Sequence, residues 1–175
     1  MAEAEGTGWP PPGFAESDRL IEVTLDDADL PAPTSEMQQE RKVALFDLLE
    51  NNAFALPPRG DREAPAGPYR LHLAMRERRL VFDITTRDRE KVAEFHLSLT
   101  PFRPVVKDYF QICDAYFDAV RNLPPSRIEA IDMGRRGIHD EGARLVMERL
   151  EGKIRMDRMT ARRLFTLICA LAGRH

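Results

Sequence analysis

The fold is decided by the stretch from Tyr69 to Leu99, which reads YRLHLAMRERRLVFDITTRDREKVAEFHLSL. Apolar and polar residues alternate through three runs of this stretch, and two charged turns, Glu77-Arg78 and Arg87–Lys91, separate the runs. Alternation with a period of two is typical of antiparallel strands that bury one face and expose the other. The stretch therefore predicts a β-meander.

The exposed face of this meander carries a candidate metal or acid–base site. A two-residue loop at Glu77-Arg78 places His72 opposite Asp83, and continuing the pairing across the next turn places Asp83 opposite Glu94. Cross-strand neighbours are close enough for their side chains to touch. Two carboxylates and an imidazole could hold a divalent metal or transfer protons. The alternative is a solvated sheet face on which His72 and Asp83 form a favourable pair.

The segments before the meander predict one strand, one helix and one loop. Residues 20–25 alternate as a short strand, and the following helix has Thr34 or Ser35 as N-cap and ends at Asn51-Asn52. Residues 56–68 contain four prolines and two glycines, which predicts an exposed, flexible loop.

The segments after the meander are mainly helical. A helix with a wide apolar face begins at Thr100 or Arg103 and ends at Leu123. The remaining predicted elements are a short helix over 127–133 opened by a Ser126/Glu129 capping box, a helix from about Asp140 to Glu151, an edge strand at 153–156, and a last helix capped by Asp157 or Thr160.

This order of elements predicts an α+β fold. Strands that follow one another and are then followed by helices favour an antiparallel β-meander of three to five strands, packed on one face by four to five helices. A chain of 175 residues forms one domain of this size, which we place at residues 19–173. Residues 1–18 are rich in proline and glycine without apolar periodicity, so we expect a disordered tail.

Charge is unevenly distributed along the chain, although the net charge is only −3. Residues 1–63 carry 14 acidic and 5 basic side chains, whereas residues 134–175 carry 5 acidic and 10 basic ones. Such a division predicts either packing of the two ends against each other or a basic surface that meets an acidic protein or an anionic small ligand. Nucleic acid is a poor candidate because no aromatic residues interleave the basic ones and the pI is about 5.9.

The composition also indicates a cytoplasmic protein. The first residues contain neither a cationic region nor an apolar one, and no apolar run approaches the length of a membrane span. Cys113 and Cys169 both fall on the apolar faces of predicted helices, where reduced, buried thiols are the default. Phosphate-loop, dinucleotide-binding, nucleophile-elbow and zinc-protease motifs are all missing from the sequence, and the sequence leaves the cofactor unknown.

The segment Gly134–Ala143, GRRGIHDEGA, is the second candidate site. In a turn that opens a helix, its backbone N–H groups would cradle an anion at Gly137, with Arg135 and Arg136 as ligand-binding guanidinium groups. His139 would be the catalytic acid or base. The alternative is an interhelical turn, in which the glycines end one helix and an aspartate caps the next.

Several segments together resemble one known family, uncharacterised protein family 0262, whose members are small proteins of alphaproteobacteria. The resemblance rests on Gly134–Ala143, Glu148–Leu150, Thr160–Cys169, Pro68–Leu71, Arg79–Asp83 and Pro101–Pro104, and covers about residues 19–173. It implies a bacterial cytosolic protein but no assigned activity, so no functional residue is carried over.

Two functions therefore stand as hypotheses. The first is a non-enzymatic binding or regulatory module whose basic C-terminal surface meets an acidic partner or ligand. The second is an enzyme acting on a phosphorylated or otherwise anionic small molecule through Gly134–Ala143. Convergence of the two candidate sites in one pocket would favour the enzyme.

Overall fold

The computed structural model describes residues 8–28 and 30–173. The strands of this part are β1 (Leu20–Leu25), β2 (Phe54–Ala55), β3 (Tyr69–Arg76), β4 (Arg79–Thr86), β5 (Lys91–Ser98) and β6 (Arg155–Met156). Its α-helices are α1 (Ser35–Glu50), α2 (Arg103–Asn122), α3 (Pro125–Arg149) and α4 (Arg158–Ala172), and a 3-10 turn at Thr100–Phe102 precedes α2. The α+β class is confirmed.

The main sheet has four strands in the order β1-β3-β4-β5. Strands β3, β4 and β5 form the predicted antiparallel meander. Strand β1 pairs with β3 in parallel, which corrects the expectation of an antiparallel sheet throughout. The reason is the connection: α1 and the 56–68 loop carry the chain back to the end of the sheet where β1 began, and parallel pairing needs a long crossover of this kind.

The predicted register of the meander is confirmed at each pair that positions His72, Asp83 and Glu94, which form a polar row across the exposed face. Arg76 pairs with Arg79 and His72 lies opposite Asp83, while Asp83 lies opposite Glu94 on the next strand. Glu77 and Arg78 both have positive φ, 51° and 66°, as a type I′ hairpin turn requires. The turn fixes the register because its twist matches that of the flanking strands.

The helices cover one face of the sheet, and α4 lies at the centre of the helical layer. It packs against α1, α3 and β3 and has nine buried residues. The side chain of Thr34 caps α1 by accepting a hydrogen bond from the Met37 N–H at 3.2 Å, so Thr34 rather than Ser35 is the N-cap. Beside this layer, β2 and β6 form a separate antiparallel pair, which includes the edge strand expected at 153–156.

Helix α3 corrects the prediction of two helices joined by a glycine-rich turn. It runs without interruption through Gly134, Gly137 and Gly142. A helical glycine costs about 1 kcal/mol relative to alanine, but packing of α3 against α2 and α4 outweighs this cost. The capping box is also wrong: Pro124 is the N-cap of α3 and makes no side-chain cap.

Two irregular segments contact the domain. Within the predicted tail, residues 1–7 lie outside the described residues, whereas the Asp18 carbonyl accepts a hydrogen bond from Phe54 N–H at 3.0 Å and the Arg155 guanidinium covers the Phe14 ring at 4.7 Å. The 56–68 loop buries Leu56 and packs Ala64 on the core. The disorder of the tail and the flexibility of the loop stay predictions.

Candidate functional site

A cavity of about 440 Å³ lies between the β1–α1 loop and three helices. We call it the loop cavity. Its lining consists of Asp27, Leu30, Pro31, Ala32, Pro33, Thr34, Met37, Arg41, Tyr109, Phe110, Thr166, Ala170 and Gly173. A volume of this size, bounded by several elements, is typical of pockets for small molecules.

The sequence of the β1–α1 loop explains why the cavity exists. Pro31 and Pro33 fix their φ angles and lack N–H donors, so this part of the loop does not continue as a strand or enter α1. The loop ends at Thr34, whose extended backbone caps the helix. Residues 30–34 form a wall of the cavity, while Asp26 N–H bonds to the Leu73 carbonyl of β3.

The walls of the loop cavity are mainly apolar, and the polar groups lie at a few points. Arg41 and Asp27 form an ion pair at 2.6 Å, and their side chains are 25% and 42% exposed. Thr166 contributes a buried hydroxyl, whose one hydrogen bond, to the Arg162 carbonyl, is long at 3.5 Å. A mainly apolar pocket with a few fixed polar groups can orient an amphipathic ligand.

Tyr109 connects the loop cavity to a buried polar cluster behind it. Its ring lies 5.6 Å from the His139 ring, centroid to centroid, and its hydroxyl is 3.4 Å from Glu40 Oε1. Burial, together with the nearby Cys113, raises the pKa of the Tyr109 phenol well above its ordinary value. The phenol is therefore neutral, and its one O–H donates to Glu40.

His139 lies in this cluster, on α3, and does not line the loop cavity. Its ring contacts the rings of Tyr109 and Phe165, and its Nε2 is buried with no hydrogen-bond partner in the described chain. Burial lowers the pKa of His139 to about 4, and the guanidinium groups of Arg162 and Arg135 act in the same direction. The imidazole is thus neutral near pH 7, and its catalytic role stays a prediction.

The predicted ligand-binding residues do not converge. Arg135 is held by Glu40 at 3.0 Å and Asp132 at 3.1 Å, and its guanidinium lies over the Tyr116 ring at 4.1 Å. Arg136 is 67% exposed and pairs with Asp132 on its own helix. Gly137 is exposed in the interior of α3, where backbone N–H groups bond within the helix. The turn that would have cradled an anion is absent from α3.

The predicted metal row lies across the sheet, but its side chains have other partners. His72 Nδ1 lies 2.6 Å from Thr24 Oγ1, and Glu94 bonds to Lys91 and to His96. These two partners hold the pKa of Glu94 at about 2. In the described part of the chain, no three His, Cys, Asp or Glu side chains are grouped so that they could hold a metal ion. Metal binding at the row stays a prediction.

The two sequence-derived sites therefore remain apart, and none of their residues lines the loop cavity. Sequence reasoning treated the cavity-forming segment as a connection between a strand and a helix. The available signal was Leu30, an apolar residue between an acidic turn and two prolines. Such a residue in a proline-rich loop is expected to fold back on the core.

Together, a four-stranded mixed sheet, a helical layer on one face and an apolar cavity define an α+β protein with a concave site among its helices. Among the described helices, none is both long and apolar enough to cross a bilayer. The sequence model of the family described as Uncharacterised protein family (UPF0262) matches residues 17–174, and the chain belongs to this family. This confirms the resemblance found in the sequence.

Relatives from alphaproteobacteria are similar over most of their length. A UPF0262 protein of Ruegeria pomeroyi is 66% identical over 153 residues, 87% of this chain and 95% of the relative. Another from Jannaschia is 67% identical over 87% of this chain and 96% of its own, and one from Paracoccus denitrificans is 64% identical over 89% and 96%. No solved structure matches the chain.

Proposed function

We propose that the protein is a non-enzymatic binding module that holds a small, mainly apolar ligand with an anionic head group in the loop cavity. The observation that carries the proposal is the cavity itself, about 440 Å³ with mainly apolar walls. Burial of apolar surface supplies the favourable free energy of binding, and the few polar groups select the orientation. We expect this role to be exercised in the cytoplasm.

The anionic head group follows from Arg41. Its guanidinium is the cation among the lining residues, and its partner Asp27 is the more exposed member of the pair. A ligand carboxylate or sulfonate can replace Asp27 in a bidentate contact with Arg41. The Thr166 hydroxyl donates its one proton in a long hydrogen bond to the Arg162 carbonyl, and it can turn this proton to the ligand instead.

A basic C-terminal surface is a weaker basis for binding than the loop cavity. Several of its cations have acidic partners: Arg135 pairs with Glu40, Arg144 with Glu141 and Arg162 with Asp140. The enzyme alternative has no geometric support, because the residues proposed for it do not line the cavity.

Thermal-shift and calorimetric titrations with decanoate, an apolar chain with one carboxylate, test the proposal. We expect decanoate to raise the Tm of the full chain, since a ligand that binds only the folded state stabilises it. Ala170→Leu places three extra carbons in the cavity and should abolish the shift. The matched control is Ala115→Leu, at an exposed position on α2, which should keep it.

The head-group contact is tested separately. Arg41→Gln removes the cation and should weaken decanoate more than decanol, whereas Lys42→Gln, at the exposed neighbouring position, should leave both unchanged. Equal binding of decanoate by wild type and Ala170→Leu would overturn the cavity as the site. Equal weakening of acid and alcohol by Arg41→Gln would overturn the anionic head group alone.

A further inference from the structure

The two edge strands of the main sheet, β1 and β5, differ in how far other parts of the chain cover them. At the β1 edge, the buried side chain of Asn52 accepts a hydrogen bond from Leu20 N–H at 2.6 Å and donates one to the Leu20 carbonyl at 3.1 Å. Helix α1 packs beside the same strand. At the other edge, β5 ends the sheet, and its exposed residues include Glu94, His96 and Ser98.

The outward backbone groups of β5 can be assigned from the hairpin. In a two-residue I′ hairpin the flanking residues form a hydrogen-bonded pair, so Arg79 faces β3 and alternate residues such as Phe82 face β5. Phe95, the partner of Phe82, then faces β4. The hydrogen bond of 3.1 Å from Leu99 N–H to the Arg78 carbonyl agrees with this assignment, because Leu99 and Phe95 are an even number of residues apart and so face the same side. The N–H and C=O groups of Glu94, His96 and Ser98 therefore point away from the sheet.

In the described chain, no backbone hydrogen bond reaches these outward groups. An edge of this kind is a template for another strand, and natural sheets block it with bulges, prolines, charged side chains or a covering segment. The segment Glu94–Ser98 contains no bulge and no proline: its register with β4 is regular, and the irregularity lies nearer the start of β5, between Ile84 and Thr85 of β4. Its exposed side chains are charged or polar, so the strand that fits must complement them.

We propose that a second copy of this chain pairs with β5 in antiparallel fashion about a two-fold axis at Phe95. This register places Glu94 of one protomer opposite His96 of its partner, twice by symmetry. Both residues present outward backbone groups, so each pair exchanges two N–H···O=C bonds. Phe95 lies opposite its own copy on the apolar face.

Charge complementarity selects this register over its neighbours. Residues whose backbone N–H and C=O groups point outward must pair with each other across the dimer. The register can therefore shift only to pairings that keep such residues opposite one another. One step in one direction places Glu94 opposite Glu94, and one step in the other places His96 opposite His96. Carboxylates directly opposite each other are destabilising, and the register with His96 opposite His96 leaves Glu94 opposite Ser98 without an imidazole partner. The dimer joins the two sheets into one, an isologous contact that closes on itself.

Within one protomer, His96 Nε2 already lies 2.6 Å from Glu94 Oε2. In the dimer, the same two side chains from both protomers form one four-membered polar cluster on the solvated face. On the opposite face the Arg59 guanidinium lies 5.3 Å from the centre of the Phe95 ring and shields the apolar pair. This proposal does not depend on the loop cavity, which lies among the helices.

Sedimentation equilibrium of the full chain tests the dimer. We expect wild type and His96→Gln to be dimeric, because both keep the outward N–H. His96→Pro removes that N–H and no bond to β4, and proline is tolerated on edge strands, so it should be monomeric with the circular dichroism spectrum of wild type. A monomeric wild type at every concentration, or a dimeric His96→Pro, would overturn the proposal.

Disulfide trapping tests the register without relying on the proline variant. Glu94→Cys and His96→Cys proteins, mixed under oxidising conditions, should form a covalent dimer, whereas either alone should not. The native thiols, Cys113 and Cys169, are buried and do not interfere. Cross-linking of Glu94→Cys by itself to the same extent as the mixture, or no cross-linking in the mixture, would contradict the two-fold axis at Phe95.

Discussion

At the scale of single residues, His139 shows how its surroundings set the protonation state of a side chain. An imidazole in a loop with two arginines suggests proton transfer, but the structure surrounds the ring with Tyr109 and Phe165. Arg135 and Arg162 add positive charge nearby, which Asp132 and Asp140 only partly offset. The protonated form is therefore disfavoured, and the imidazole of His139 is neutral near pH 7.

This environment predicts a specific acid sensitivity. The folded protein protonates His139 with a pKa of about 4, whereas an unfolded chain does so near pH 6.5. Between these values unfolding takes up a proton, so the stabilising effect is complete above about pH 6.5 and lost as the pH falls through 4. We expect a loss on the order of 2 kcal/mol in the free energy of unfolding, measured by urea denaturation from pH 7.5 to pH 4.

The control for this prediction separates His139 from the other titrating groups. His139→Leu should remove its share of the pH dependence, whereas His72→Gln on the sheet face should retain it. If the wild-type and His139→Leu stability curves run parallel over this range, the residue does not titrate as its surroundings indicate.

At the scale of secondary-structure elements, the glycines of α3 have two different roles. A Cβ built at Gly142 would lie 2.4 Å from carbons of the Phe165 ring, so the glycine permits the close approach of α3 and α4. A Cβ at Gly137 would meet nothing within 4 Å. Packing requires Gly142 to be a glycine, and nothing in the structure requires Gly137 to be one.

A matched pair of substitutions follows from this difference. Gly137→Ala should stabilise the protein by about 0.5–1 kcal/mol, because alanine is the better helix former. Gly142→Ala should destabilise it by about 1–3 kcal/mol, because the buried Phe165 ring has to move in a packed core. Urea denaturation of the two variants measures both effects. A stabilising Gly142→Ala would show that α3 and α4 are not packed this closely.

The elements also show which features were predictable from sequence. The meander and its register were predictable, because the alternation in Tyr69–Leu99 and the two-residue turn at Glu77-Arg78 are local signals. The continuity of α3 was not, because local propensity treats Gly134 and Gly137 as breaks, whereas contacts with α2 and α4 hold the helix together. The loop cavity was hidden for a related reason: it is formed by tertiary packing of a segment whose own pattern indicates only a loop.

At the scale of the whole molecule, the uneven charge distribution is explained in part by ion pairs between distant segments. Glu22 pairs with Arg70 at 2.9 Å, Glu36 with Arg121 and Glu40 with Arg135 at 3.0 Å. Each acidic partner comes from the acidic first third of the chain and each basic partner from beyond it. The pair of Glu40 with Arg135 joins the acidic segment 1–63 to the basic segment 134–175, which is one of the two outcomes expected from composition. The other two pairs join the acidic segment to the middle of the chain.

The pair between Glu40 and Arg135 should contribute most of this stabilisation. Its side chains are 21% and 19% exposed, and removing one member leaves a partly buried charge without its partner. Arg135→Ala should cost about 2–3 kcal/mol, whereas Arg136→Ala, which breaks an exposed pair with Asp132, should cost less than about 0.5 kcal/mol. Thermal unfolding at low and high salt would measure both, and equal costs would contradict a structural role for Arg135.

The parallel strand β1 has a consequence for the order in which the chain can assemble. The meander pairs residues a few positions apart along the chain, but Leu20 pairs with Tyr69, across all of α1 and the 56–68 loop. Closing so long a segment costs more conformational entropy than closing a hairpin, and distant pairings slow folding. We therefore expect β1 to join the sheet late in folding. A ribosome nevertheless releases β1 well before it has synthesised β3, the strand with which β1 pairs.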